Sequence, residues 1–161
     1  MKRAITTLAI MAAMMAIVVG VPTVKYTAAS LPVVHAQDTG SGCSLSSLKG
    51  SYGLDRQGTL VSSILGLPAP APWSEVAFEH FDGVGGFSGK ATVNVGGAVV
   101  TGTVTGSYTI NSDCTGTKTV NTSVGVTVHE AIIVTGGGQR MIGTQTDPWA
   151  VVQTRAEKIG E

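Results

Sequence analysis

Apolar and polar residues alternate along most of the chain, and this alternation predicts β-strands. Within residues 99–110, valine, glycine, tyrosine and isoleucine fill one set of alternate positions, and Val99 followed by threonine and serine fills the other. Residues 87–95 alternate in the same way, and Gly96-Gly97 separates the two segments. A two-residue period places alternate side chains on opposite faces of a strand, and paired glycines suit a tight turn. The two segments are therefore predicted to form a hairpin.

The same pattern continues on both sides of this hairpin and predicts an all-β domain. Strands are expected at residues 51–60, 74–82, 87–95, 99–110, 115–121, 124–135, 139–146 and 149–156. Short Gly-, Asn- and Asp-rich connections make consecutive strands antiparallel neighbours. An antiparallel up-and-down barrel of about eight strands leaves no free edge, and a two-sheet β-sandwich is the alternative. Glycines on the predicted inner face (Gly89, Gly102 and Gly106) suit strands that coil tightly.

The N-terminal segment has the pattern of a secretory signal peptide. A basic start, Lys2-Arg3, precedes an uncharged apolar run, and Val34-His35-Ala36 places small or aliphatic residues where a signal peptidase reads them. We expect cleavage after Ala36, with a rival site near Ala29, so that residues 1–36 are removed and residues 37–161 form the single β-barrel domain. An uncleaved membrane anchor is the alternative. The predicted location is secreted, extracellular or periplasmic, with no stable membrane insertion after cleavage.

Charge is sparse, and the net charge goes from zero to negative once the leader is set aside. The whole chain has ten basic and ten acidic residues. Removing residues 1–36 takes away Lys2, Arg3 and Lys25, which leaves seven bases against ten acids, or −3. A mildly acidic domain without a basic run argues against nucleic acid as a partner.

The two cysteines predict one disulfide and its place in the barrel. An exported chain with Cys43 and Cys114 most simply pairs them. Cys43 precedes the first strand and Cys114 lies between the fourth and fifth, so both fall at the same end of a meander. The segment after Cys43 is expected to cross that end and close it.

Residues 61–73 form the longest predicted connection and are unusually apolar for a loop. Surface loops are normally polar, so this one is expected to cover or to bind something. The leading hypothesis is a secreted barrel that binds a small apolar ligand beneath this loop, and a loop that simply fills the barrel is the alternative. The predicted ligand-binding residues are Leu65, Leu67, Trp73, Phe78 and Tyr108.

Several polar residues interrupt the predicted inner face. Glu130 lies within a valine- and isoleucine-rich strand, Arg56 follows Tyr52 and Leu54, and His80 follows Phe78. Buried charges need partners, so Arg56 and Glu130 are predicted to pair, with His80 or Tyr108 nearby. These four residues are candidates for a barrel cyclase or isomerase. A β-bulge that turns Glu130 to solvent is the alternative.

Motifs for other chemistry are missing from the sequence. The chain has no G-x-S-x-G elbow, no H-E-x-x-H and no C-x-x-C. No cofactor or metal site is predicted, and enzymatic activity is not favoured. A third hypothesis is a surface or matrix protein that adheres through threonines on its outer face.

The mature segment resembles a group of short exported bacterial β-domain proteins of unassigned function. The residues that carry the resemblance are the Cys43–Gly53 stretch, CSLSSLKGSYG, the FDGVG beginning at Phe81, the GSYTINSDCTGT beginning at Gly106, and Thr146-Asp147. This resemblance implies export, paired cysteines and one β-domain, and no catalytic residue. An eight-stranded barrel with a long first loop is also distantly similar to lipocalins and to allene-oxide-cyclase-like barrels, which bind or cyclise apolar molecules.

Overall fold

The computed structural model describes residues 42–161, which fold into a closed barrel of eight antiparallel strands. Each strand pairs with the next along the chain, and the last pairs with the first. The predicted up-and-down barrel is confirmed, and the sandwich alternative is wrong. The predicted signal peptide lies outside the described residues. The strands are β1 (Gly50–Leu60), β2 (Ala71–Phe81), β3 (Gly86–Val95), β4 (Ala98–Ile110), β5 (Thr115–Thr122), β6 (Thr127–Thr135), β7 (Arg140–Gln145) and β8 (Ala150–Gly160).

Two strand boundaries differ from the prediction in ways that affect the site. Strand β2 begins at Ala71, so the long connection is residues 61–70, which we call the lid loop, and Trp73 belongs to the strand. Strand β6 begins at Thr127, because the backbone turns at Gly125, where φ is +84° and the amide N–H donates to the Thr122 carbonyl. Glycine tolerates this left-handed conformation, which other residues rarely adopt.

The predicted inner face of β2 is wrong. Phe78, taken as an inward ligand-binding residue, is 46% exposed, and His80 beside it also faces solvent. The inward positions belong instead to Glu75, Glu79 and Phe81, all of which are buried. The hydrophobic pattern gave the wrong inner face because Glu75 and Glu79 lie inside the barrel, where they pair with Arg56 and Lys118. Phe78 is therefore on the outside of the barrel and does not line its interior.

One end of the barrel is closed by the segment that precedes β1, as predicted. Cys43 and Cys114 form a disulfide with a Cα–Cα distance of 4.9 Å. A short 3-10 helix at Leu45–Leu48 follows, and Leu48 is fully buried. Gly138 lies so close beneath it that a Cβ there would be 2.1 Å from the Ser47 carbonyl oxygen. We call this end the floor.

An aromatic layer lies on the floor and fills the lower barrel. Phe81 packs against Tyr52, Phe87 and Tyr108, with ring centroids 5.2–5.3 Å apart. Gly106 makes room for this layer, because a Cβ at that position would lie 2.7 Å from the Phe87 ring. These contacts suit aromatic pairs. The lower half of the barrel is therefore a packed core, and any interior space has to lie above it.

Candidate ligand-binding site

A cavity occupies the upper half of the barrel, between the aromatic layer and the lid loop. The cavity volume, counted as the space that the centres of water molecules can occupy, is about 100 Å³. A single water needs roughly 10–15 Å³ on the same measure. A compact occupant extends one water radius beyond that space, so its own volume is on the order of 300 Å³. Aliphatic side chains from β3 to β6 make most of the wall: Ala91, Val93, Val100, Val104, Val126 and Val128.

The lid loop and the β5–β6 turn form the rim of this cavity. Leu65 and Val124 both line it while being 63% and 45% exposed, so the wall reaches the surface between them. Leu67 is half-buried, and its amide N–H donates to the Ile64 carbonyl, which folds the loop back over the barrel. Leu65, Leu67 and Trp73, three of the predicted ligand-binding residues, all line the cavity.

Charged side chains make the bottom of the cavity. Arg56 contacts three carboxylates at once: its Nη1 binds Glu75, its Nη2 lies 3.0 Å from Glu79 Oε1, and its Nε lies 3.2 Å from Glu130 Oε1. All four side chains are more than nine-tenths buried. The predicted pairing of Arg56 with Glu130 is confirmed. The bulge alternative is wrong, because Glu130 is 2% exposed within an unbroken register.

Lys118 of β5 completes this charged layer from below. Its Nζ lies 2.6 Å from Glu79 Oε2 and 3.3 Å from Glu130 Oε2. The same ammonium stands over the Phe87 ring, 4.7 Å from its centroid. A cation at this distance from an aromatic face is attracted to it. Lys118 thus joins the aromatic layer to the carboxylates, and Arg56, Glu75 and Glu130 face the cavity above.

The surroundings of Glu130 decide its protonation state. Burial raises the pKa of this carboxyl, but the charges of Lys118 and Arg56 and a hydrogen bond from Thr154 outweigh burial and bring the pKa to about 2. Thr154 Oγ1 donates to Glu130 Oε1 at 2.7 Å. Burial lowers the pKa of Arg56, and its three carboxylate neighbours more than reverse this and raise it. Both side chains are charged at neutral pH.

Two buried polar atoms of the cavity wall have no hydrogen-bond partner among the described residues. One is Trp73 Nε1 and the other is Glu130 Oε2. The latter is 3.3 Å from Lys118 Nζ, but the geometry makes this an ion pair without a directed hydrogen bond. Unsatisfied buried polar atoms are uncommon and carry a desolvation cost. Both belong to residues that line the same cavity.

The side chains of Tyr108 and His80, the other predicted site residues, make no hydrogen bond to this cluster, although Tyr108 is the cross-strand neighbour of Lys118. Tyr108 is buried, but its hydroxyl donates to the Leu45 carbonyl at 2.9 Å and belongs to the floor. His80 Nδ1 is 3.0 Å from Ser51 Oγ on the outer surface. The prediction that His80 or Tyr108 lies near Arg56 and Glu130 is wrong for His80, and Tyr108 bonds to neither residue. Neither Tyr108 nor His80 lines the cavity.

Three members of the charged layer were not found from the sequence, namely Glu75, Glu79 and Lys118, and neither was Thr154, which donates to Glu130. A signal for Glu75 and Glu79 is present, because they share one face of β2 with Phe81. Lys118 shares its face of β5 with Gly116 and Val120. A lysine between threonines in a polar-looking segment gives no sequence-level reason to place it inside.

Comparisons with protein-family models, curated proteins and solved structures found no match. The resemblance to exported bacterial proteins therefore stays a prediction, and function has to be argued from the site. Within residues 42–161, no helix has the length and apolar character needed to cross a membrane. The same residues contain no group of three or more His, Cys, Asp or Glu side chains arranged to hold a metal ion.

The outer threonines pair with one another across neighbouring strands. The hydroxyls of Thr92 and Thr101 lie 3.0 Å apart, and those of Thr109 and Thr117 lie 2.8 Å apart. Cross-strand threonine pairs stabilise a sheet face, which accounts for their presence without a partner. Adhesion through this face stays a prediction.

Proposed function

We propose that this protein is a secreted barrel that binds a small, largely apolar molecule in its upper cavity, beneath the lid loop. The observation that carries the proposal is the contrast between the two halves of the interior. The lower half is filled by aromatic side chains, whereas the upper half has an apolar-walled space with charged groups at its bottom. Concave apolar sites with a few convergent polar groups are typical of ligand pockets.

Two further observations support binding as the role of this cavity, and a third supports export. The lid loop presents Ile64, Leu65 and Leu67 to the cavity. Trp73 Nε1 is a buried donor without a partner among residues 42–161, and an acceptor on a ligand would satisfy it. The disulfide is typical of oxidising compartments outside the cytoplasm, which agrees with the predicted export.

Catalysis by the predicted acid–base residues has less support than binding. A general base works best with a pKa near the operating pH, and the pKa of Glu130 is about 2. Arg56 is held by three carboxylates and stays protonated. Tyr108 and His80 do not line the cavity. A cyclase or isomerase would therefore lack a group poised to move a proton among the four candidates.

The test uses tryptophan fluorescence, since the chain has two tryptophans and Trp73 lines the cavity. Trp149 packs beside it, with ring centroids 6.1 Å apart. The Trp149→Phe variant leaves Trp73 as the single reporter. Titration with 1-octanol, a neutral amphiphile, should change the Trp73 emission in a saturable way.

A matched pair of variants tests whether the cavity is the binding site. Ala91→Leu enlarges a side chain of the wall so that it fills part of the cavity, and it should weaken octanol binding about tenfold or more. Val151→Leu adds apolar volume at an exposed outer position of β8 and should leave binding unchanged. Equal octanol affinity in both variants, or no saturable response in the parent protein, would overturn the proposal.

A further inference from the structure

We infer that the ligand of this cavity carries a single protonated amine, seated against Glu75 and Glu130, with an apolar body extending toward the lid loop. The inference rests on the proposed binding function and adds the chemical class of the ligand. It is carried by the charge balance of the cavity bottom together with its geometry.

The charged layer holds more negative than positive formal charge. Its carboxylates are Glu75, Glu79 and Glu130, and its cations are Arg56 and Lys118. Three negative against two positive charges leave a net charge of −1. All five side chains are more than nine-tenths buried. Buried charge is costly unless it is paired, so one further cation would balance the cluster.

The side of the cluster that faces the cavity is its acidic side. Glu75 and Glu130 line the cavity, whereas Lys118 lies below, over the Phe87 ring. Arg56 also lines the cavity, but its guanidinium nitrogens are engaged by Glu75, Glu79 and Glu130. Glu130 Oε2 is buried 3.3 Å from Lys118 Nζ and accepts no directed hydrogen bond from the described residues, so it has capacity for a further donor. An ammonium group supplies the donors that these carboxylates can take.

The wall above the carboxylates determines the rest of the ligand. Above the carboxylates, the cavity wall consists mainly of valines from β3, β4 and β6, which carry no charge. An apolar chain or ring of modest size fits the space, and its burial supplies the main driving force for binding. A carboxylate-headed amphiphile would bring a fourth negative charge to the cluster, and like charges at close range are strongly unfavourable in a low-dielectric interior.

The experiment compares three probes of equal chain length against the Trp149→Phe protein at pH 7: octylamine, 1-octanol and octanoate. An alkylamine is protonated at this pH, as lysine is. Octylamine should bind about tenfold more tightly than octanol, because hydrogen bonds between charged groups are stronger than neutral ones. Octanoate should bind more weakly than octanol.

A pair of charge-removing variants localises the effect. Glu75→Gln, made in the same background, should reduce the preference for octylamine over octanol to within about twofold. Asp55→Asn removes the same charge from the exposed outer face of β1 and should keep the full preference. If Glu75→Gln does not fold, Gln145→Glu adds a carboxylate to the cavity wall and should increase the preference.

The outcomes separate this inference from the proposed function. Equal binding of octylamine and octanol, or tighter binding of octanoate, would overturn the amine inference while leaving a ligand-binding barrel. An equal loss of preference in Glu75→Gln and Asp55→Asn would attribute the effect to the overall charge of the protein and would also overturn it. Failure of all three probes to bind would overturn both proposals.

Discussion

Arg56 and Glu130 meet across the interior of the barrel, with Nε 3.2 Å from Oε1. Their strands, β1 and β6, are not hydrogen-bonded to each other, since β1 pairs with β2 and β8, and β6 pairs with β5 and β7. The contact therefore joins two strands that are separated by β7 and β8 around the barrel. Because both groups are buried, the layer they belong to is sensitive to the loss of any one member.

Removing the buried ammonium of this layer should destabilise the fold strongly. Lys118→Met leaves Glu79 and Glu130 with Arg56 as their remaining cation, and breaking a buried ion pair in this way costs about 3–5 kcal/mol. Urea unfolding followed by tryptophan fluorescence measures the change. Lys90→Met removes the same charge from an exposed position and should alter the free energy of unfolding by less than about 0.5 kcal/mol. Equal effects of the two substitutions would contradict the buried pairing.

The stability of the protein should depend on pH through Glu130. Its pKa is lowered from 4.5 to about 2 in the folded state, so the ionised carboxyl stabilises the fold above pH 4.5. That contribution is lost as the pH falls through about 2, and it is on the order of 3 kcal/mol.

The measurement is the free energy of unfolding of wild type and Glu130→Gln between pH 7 and pH 2. Lys118, Arg56 and Glu79 surround Glu130 in both proteins, and Asp82, Asp113 and Asp147, whose pKa values are also lowered, titrate in both. The difference between the two curves therefore isolates Glu130. It should be largest near neutral pH and shrink below pH 4.5, and a constant difference would contradict the lowered pKa.

Two phenylalanines of β2 provide a direct test of which face of this strand is inside. Phe81 is fully buried in the aromatic layer, and Phe78 is 46% exposed. Phe81→Ala should lower the free energy of unfolding by about 3–5 kcal/mol, whereas Phe78→Ala should lower it by less than about 1 kcal/mol. The opposite order in chemical denaturation would restore the face that the hydrophobic pattern first indicated.

The disulfide should contribute a large part of the stability. Cys43 and Cys114 are separated by 71 residues in sequence, and closing a loop of that length contributes about 4 kcal/mol in the chain-entropy treatment. The double variant Cys43→Ser/Cys114→Ser should therefore unfold at a markedly lower urea concentration. Alkylation of the unreduced wild-type protein should label no thiol, and labelling of both cysteines would contradict the pairing.

The order and nature of the strands follow from the sequence because they depend on local pattern. Residues 99–110 alternate so regularly that β4 was predicted to within one residue. Short glycine-rich connections such as Gly96-Gly97 make consecutive strands antiparallel neighbours. The Arg56–Glu130 pair was also predictable, because each charge interrupts an otherwise apolar face and a buried charge needs a partner.

Barrel closure decided which face of each strand became interior. In β2, Val76 and Phe78 face solvent, whereas Glu75 and Glu79 face inward to Arg56 and Lys118. The alternation of side chains along a strand is a local property: it defines two faces but does not determine which of them is buried. The free energy of burying a carboxylate depends on cations that come from β1 and β5, and these meet the carboxylates only once the eight strands have closed around one interior.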